Sequence, residues 1–498
     1  MLRAVLLLQL TLWVANIHAF FPWIACEADK SCPGKSRREL PGPAKGITLD
    51  LWHRGPDVNE DLDKRGSANG PDLVGRSNKY TVVKPLEPTA EKSAGIHQDG
   101  ADYSYFVEAK FGSADKPMYM LIDSGAGTTW VMGSTCKSDA CLMHNTFGPD
   151  DSKSLKVDDK AFSINYGTGE VTGRLAHDSI SVAGMKLDVK FGLANETSVD
   201  FTHFPFDGIL GLSMGSGSTD NFMGALMEKK LLDSRIFSVN IGRASDGINN
   251  GQVTFGGTDP SKYVGQISYT PVSPKANGDW AIPLDDLSHN GKTSGITGRL
   301  AYIDTGTSFA FGPESDVAAI HKLIPGATTE DKVYYKVPCN TDTPLTVKFS
   351  GVAYTISPKD WISKRDGSCQ SNIYGYEVVK DQWLFGDLFL KNVYTVFDGA
   401  QKRIGFASKA PLPDVPKTIP VVTTPPSVTE GLGGHLPTAS PLTPSDGSAS
   451  SPAGQQSDGA TNGGAPSSTP KHVSPADQLE SPVYVSVLCV VAVLAMVA

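Results

Sequence analysis

Two segments of the chain, LIDSGAGTTW at 121–130 and YIDTGTSFAF at 302–311, repeat one pattern. Each runs apolar pair, Asp, Ser or Thr, Gly, small residue. An Asp between a β-type apolar run and a Gly sits at a strand-to-turn corner, where backbone N–H groups approach the carboxylate and hold it in one orientation. Two such corners, at Asp123 and Asp304, imply two related halves that each contribute one carboxylate to a shared site. Like charges at close range do not both ionise, so one Asp keeps a proton while the other acts as a base. That is the pair needed to activate water against an amide.

The sequence around the corners agrees with a strand-built body. The stretches 103–111, 117–122, 128–132, 160–166, 251–257, 332–337 and 393–398 read as strands separated by Gly, Asp, Asn and Pro turns. Helical patterns are few and short, at 221–232 and 315–324. With 51 Gly, 34 Pro and only 8% aromatic residues, the composition favours many short strands over helix bundles. The reading is all-β and bilobal, with the halves meeting near 270–290. A net charge of −9 with no long basic cluster argues against nucleic-acid binding. No zinc-spaced Cys/His cluster, Walker loop or dinucleotide-binding glycine pattern occurs, so no metal or cofactor is expected. GLSMG at 211–215 matches the G-x-S-x-G nucleophile elbow, but GSGSTD follows where a helix should open, so Ser213 is read as a turn residue.

At the two Asp motifs the chain resembles the pepsin-like aspartic proteases. The resemblance spans 101–408 and takes in YGTG at 166–169, FDGILGL at 206–212 and LFGDLFLKNVYTVFDGAQKRIGFA at 384–407, in the family's order. It implies a bilobal fold whose cleft lies between two pseudo-twofold-related lobes, 101–275 and 276–408. It implies that Asp123 and Asp304 share one water, with Gly125 and Gly306 shaping the corners and Ser124 and Thr305 bonding across them. Thr307 would donate to the outer oxygen of Asp304. Tyr166, Gly167 and Thr168 would form a flap over an extended protein or peptide substrate, with the Tyr hydroxyl reaching Trp130. Asp207 and Asp387 would be structural. One departure stands out: Ala126 and Gly127 follow Asp-Ser-Gly where the family carries Ser or Thr and then a different residue. Loss of that hydroxyl raises the pKa of Asp123 and displaces the acidic limb of the pH profile.

The flanking segments point to a secreted, surface-held enzyme. Residues 1–19 read as a signal peptide cut near Ala19. Residues 20–100 read as a propeptide and N-terminal extension, with a kexin-type processing protease as partner at Lys64 and Arg65. Six cysteines pair locally as Cys26 with Cys32, Cys136 with Cys141 and Cys339 with Cys369; the last two pairs match disulfides of the resembled family. Residues 409–482 form a Ser/Thr/Pro/Gly-rich stalk. The apolar 483–498 reads as a GPI-addition signal, which would place the protein at the cell membrane or the cell wall; a transmembrane tail is the other reading. Asn195 opens an N-x-T glycosylation sequon. The resemblance is strongest to GPI-anchored, yapsin-like fungal endopeptidases acting as monomers at acidic pH. The competing class is a catalytically weak or inactive wall or adhesion protein that uses the cleft to bind peptides.

Overall fold

A computed structural model describes residues 78–166, 169–365 and 367–412. The stretch read as a signal peptide, Lys64, Arg65, Cys26, Cys32, Gly167, Thr168, the part of the expected stalk beyond 412 and the 483–498 tail lie outside these residues.

The Tyr105–Phe111 strand shows how patterning builds the fold. Val107, Ala109 and Phe111 are buried while Glu108 and Lys110 are exposed, so one face enters the core and the other meets water. It pairs antiparallel with Lys116–Asp123, Phe106 opposite Leu121. Lys116–Asp123 then runs parallel to Gly208–Gly211, which is antiparallel to Trp130–Met132, which is parallel to Met185–Thr197. The second half repeats this order. Ala281–Leu284 is antiparallel to Arg299–Ile303, Arg299–Ile303 is parallel to Trp383–Phe385, Trp383–Phe385 is antiparallel to Ala310–Phe311, and Ala310–Phe311 is parallel to Ile373–Tyr374. The duplicated motif therefore lies in a duplicated five-strand module, with Asp123 ending the second strand of the first and Asp304 directly following that of the second.

A third sheet joins the halves. Ile236–Asn240 pairs with Val393–Asp398, and Tyr263–Pro271 pairs with Arg403–Lys409, so two strands of the second half lie between strands of the first. Nearby, Arg243 grips the buried Asp360 through Nε at 2.9 Å and Nη2 at 2.7 Å, and Lys391 lies between Asp360 at 3.3 Å and Asp102 at 3.4 Å. Aromatic rings fill the cores: Phe111, Phe147 and Phe191 in the first half, Phe385, Phe389 and Phe406 in the second. Each such ring contributes roughly 1.5–3 kcal/mol by leaving water. Cys136–Cys141 and Cys339–Cys369 are disulfide-bonded.

Two expectations differ from the structure. Composition sets a boundary at 100, yet residues 78–100 are built into the body. Ser93–Gly95 is the edge strand of the joining sheet, paired to Gln252–Phe255, His97 and Gln98 pair with Phe106 and Tyr105, and Ile96 is fully buried. These strands are too short for a periodic signal, and Ser93–Gly95 is held by a partner far along the chain. The stretch 332–337 keeps its alternation, with Val333, Tyr335 and Val337 buried, but makes only an isolated bridge at Lys336 to each of two neighbours. The Asp331 carboxylate takes the N–H groups of Val333 and Tyr334 at 2.9 Å each, which removes them from any ladder. The two helical stretches form at Phe222–Glu228, where Asn221 caps Gly224 N–H, and at Glu314–His321 after Pro313.

Candidate active site

Each Asp corner is closed from below by a parallel strand. Asp123 lies opposite Gly211 and its carbonyl accepts Leu212 N–H at 2.8 Å. Asp304 N–H donates to Phe385 O at 3.0 Å, and Asp387 N–H to Thr307 O at 2.7 Å. These contacts explain the glycines of FDGILGL and LFGD: a Cβ on Gly386 would lie 1.9 Å from Thr307 O, and one on Gly211 2.8 Å from Ala126 O. The unusual Gly127 has the same cause, since its carbonyl accepts Gly217 N–H at 2.8 Å and a Cβ there would lie 2.8 Å from that nitrogen.

Across the halves the corners hold one another by a reciprocal set of bonds. Ser124 N–H donates to Thr305 Oγ1 at 3.0 Å and Thr305 N–H to Ser124 Oγ at 3.0 Å. The same hydroxyls donate onward to Ile303 O at 3.0 Å and Ile122 O at 2.7 Å. Gly125 N–H is shared between Asp123 Oδ1 at 2.9 Å and Asp304 Oδ1 at 3.1 Å, which brings the two buried carboxyls side by side. A Cβ on Gly306 would sit 2.5 Å from Asp123 Cγ, so only glycine allows this approach. One such pair, out of water and held by fixed donors, can take a proton from one molecule and give one to another.

The carboxyls are not equivalent. Burial pushes both above the usual carboxylate range. Asp304 is raised to about 6, held there by Thr307 Oγ1, which donates to its Oδ2 at 2.6 Å, and by Gly306 N–H on Oδ1 at 2.9 Å. Asp123 is raised well above the usual carboxylate range, by burial first and then by the charge of Asp304. Gly125 and Ala126 both donate to Asp123 Oδ1. Apart from the proton the pair shares, its buried Oδ2 has no partner. Ala126 offers Asp123 only its backbone N–H, on Oδ1, so Asp123 Oδ2 has no counterpart to the Thr307 hydroxyl on Asp304 Oδ2.

Over the Asp123 side lies a hairpin of Lys156–Tyr166 and Gly169–Val182, with Tyr166 opposite Gly169. Trp130 Nε1 donates to Tyr166 Oη at 2.6 Å, and both rings meet Phe201 edge-on at 5.5 and 5.9 Å. Burial and the charge of Asp123 raise the Tyr166 hydroxyl's pKa, which places that side chain within the field of the pair.

A single compatible identity follows from two Asp-Ser/Thr-Gly corners joined by reciprocal hydroxyls under an aromatic hairpin, and comparison with known proteins decides it. The model of the eukaryotic aspartyl protease family matches residues 104–409, more than half of the chain. The chain belongs to that family. It is similar to the probable aspartic-type endopeptidase CTSD of Trichophyton verrucosum, 41% identical over 79% of this chain and 80% of the relative. The aspartic-type endopeptidase ctsD of Aspergillus fumigatus is 43% identical over 73% of this chain and 78% of its own. Pepsin A of Sus scrofa is 35% identical over 67% of this chain and 89% of its own.

Within this aspartyl protease the other motif residues stand apart from the pair. Asp207 takes four donors, from Tyr119 N–H, Asn145 N–H, Asn145 Nδ2 and Asn78 Nδ2, and ties a loop to the sheet. Asp387 is buried at the start of a short helix with Oδ1 unpartnered; burial pushes its pKa well up, against the pull of Lys391. Ser213 Oγ bonds only to the Gly215 backbone, a turn arrangement without a His. Asn195 is exposed at a register shift of its strand, between the Thr172–Glu196 and Gly173–Ala194 pairs. Among the described residues no group of three or more His, Cys, Asp or Glu is arranged to hold a metal ion. Sequence reasoning missed the pocket beside Asp304 that contains Asp279, Trp280 and Tyr302. No motif marks it. The signal was strand register, which the sequence alone does not display.

Proposed function

We propose that the chain is a secreted endopeptidase, active at acidic pH, that binds protein or peptide substrates in extended form beneath the Tyr166 hairpin. Asp304 takes a proton from a water bound between the carboxyls, and that water attacks the peptide carbonyl carbon. Asp123 gives its proton to the carbonyl oxygen. The resulting tetrahedral diol collapses with a proton passing to the leaving amine, so no bond to the enzyme forms and the pair is ready again. The observation that carries this reading is Gly125 N–H shared between the two buried carboxylates. Both come from one chain, which supports a monomeric enzyme.

The two disulfides support passage through an oxidising secretory compartment, in keeping with a signal peptide at 1–19. The proposal extends to release of a propeptide by a kexin-type protease after Arg65, glycosylation at Asn195, and a GPI anchor that replaces 483–498 and holds the enzyme at the outer face of the plasma membrane or in the wall. A quenched peptide library at pH 3 to 6, with and without a statin-type transition-state mimic, tests the activity. Inhibitor-sensitive cleavage is the expected result, and peptide binding without turnover would make the chain a binding protein. Release of surface enzyme by a phosphatidylinositol-specific phospholipase tests the anchor.

A further inference from the structure

The pocket that opens beside Asp304 holds an acid that the peptide-cleaving chemistry does not use. Its walls include Trp280, Tyr302, Val378 and Leu384, with Asp279 and Asp304 on the same surface. Strand register puts the two acids together. Ala281 lies opposite Tyr302 and Ile303 N–H donates to Trp280 O at 2.9 Å; Asp279 and Asp304 are the residues just beyond that bond, and both line the pocket.

The position is rigid. Asp279 leaves a tight turn in which Asn277 and Gly278 adopt left-handed backbone (φ 53° and 98°). Its own N–H closes on Ala276 O at 2.9 Å, and Gly278 O is pinned by Gly215 N–H at 2.9 Å. The carboxylate itself has no hydrogen-bond donor and no cation against it among the described residues. Burial alone raises its pKa, and Tyr302 is raised by burial first and then by the Asp279 charge. A half-buried carboxylate against Trp, Tyr, Val and Leu side chains has lost part of its hydration without receiving a partner, and a cation brought by a ligand would restore one. The apolar walls suit the methylene stem of a long basic side chain, with its head on the acid.

We propose that this pocket takes a lysine or arginine side chain of the substrate, next to the cleaved bond on the Asp304 side, and that Asp279 is the specificity-determining counter-ion. The inference rests on the endopeptidase reading, since it assigns a subsite to that cleft.

Two measurements on the secreted full-length chain test it. Quenched peptides identical except for Lys, Arg, norleucine or Glu at each position flanking the bond are compared by kcat/KM. Non-cleavable statin-type peptides carrying Lys or norleucine are compared by equilibrium binding. The expected result is a preference of about tenfold or more for Lys and Arg over norleucine at one position on one side of the bond, the order of one partly desolvated ion pair. Asp279→Asn abolishes that preference and leaves the norleucine peptide within about twofold, and Asp279→Lys turns the preference toward Glu. Equal loss of both peptides in Asp279→Asn would make the residue structural, and an unchanged Lys preference would overturn the assignment. If no peptide is cleaved by the unmodified protein, the endopeptidase reading fails, while the binding arm still decides the pocket: Lys and norleucine mimics bound alike would refute it.

Discussion

At the Asp304 corner the carboxylate receives a hydroxyl on one oxygen and a backbone N–H on the other, from Thr307 and Gly306. At the Asp123 corner, built on the same strand plan, both local N–H donors fall on Oδ1 and nothing donates to Oδ2. The backbones are near copies and the hydrogen-bond fields are not. A duplicated fold thus places two identical acids in unlike environments, and a hydroxyl on the Asp304 side favours that carboxylate's ionised form. The difference also runs in the direction of the hairpin, since Tyr166 and Trp130 stand with Asp123 while the apolar pocket with Asp279 stands with Asp304.

The strongest test removes either carboxylate. Asp123→Asn and Asp304→Asn should each lower kcat by about 10⁴-fold with the fold retained, because proton giver and taker act as a unit; near-normal turnover by either purified variant, checked by circular dichroism, would end the comparison. Tyr166→Ala should cost less, about 10²-fold in kcat/KM, because the hairpin aligns substrate and excludes water without reacting; a loss equal to that of the Asp variants would give Tyr166 a chemical role.

Thr307→Ala makes the two corners alike. It deletes the donor that favours ionised Asp304, so the base protonates at higher pH, and the acidic limb of kcat/KM should move up by about one pH unit, the equivalent of one lost hydrogen bond to a charged group. A limb that stays in place would mean that Thr307 does not set the base.

Ala126→Ser makes them alike in the opposite sense and has the smallest effect. A hydroxyl on Asp123 Oδ2 favours its ionised form, so the pair loses its shared proton at lower pH. From sequence the acidic limb is the one expected to respond, as it would if Asp123 were the base. With Asp304 as the base, the upper limb should move down first, by about one unit or less. A profile measured on one peptide that shifts only at its acidic limb would return the base to Asp123.

Much of the pair was legible because its requirements are local. An Asp at a strand end, a Gly that admits backbone N–H groups and a hydroxyl beside it are conditions on three or four consecutive residues, and they read the same in both copies. Ala126 was legible for the same reason, as a missing atom in a repeated pattern. The strand at 332–337 misled because alternation reports burial and not pairing, and Asp331 had already taken two of the N–H groups a ladder needs. Residues 78–100 were hidden by brevity: Ser93–Gly95 has meaning only against Gln252–Phe255.

By itself the sequence determined that two strand-built halves would each present one acid, because short-range sterics and backbone hydrogen bonding confine such corners to a narrow set of conformations. Only the tertiary structure decided that Gly125 N–H would be shared between both carboxylates, that Asp123 Oδ2 would be left without a donor, and that Asp279 would line one pocket with Asp304. Those outcomes depend on which segments meet across long separations, and the packing of the whole body sets that.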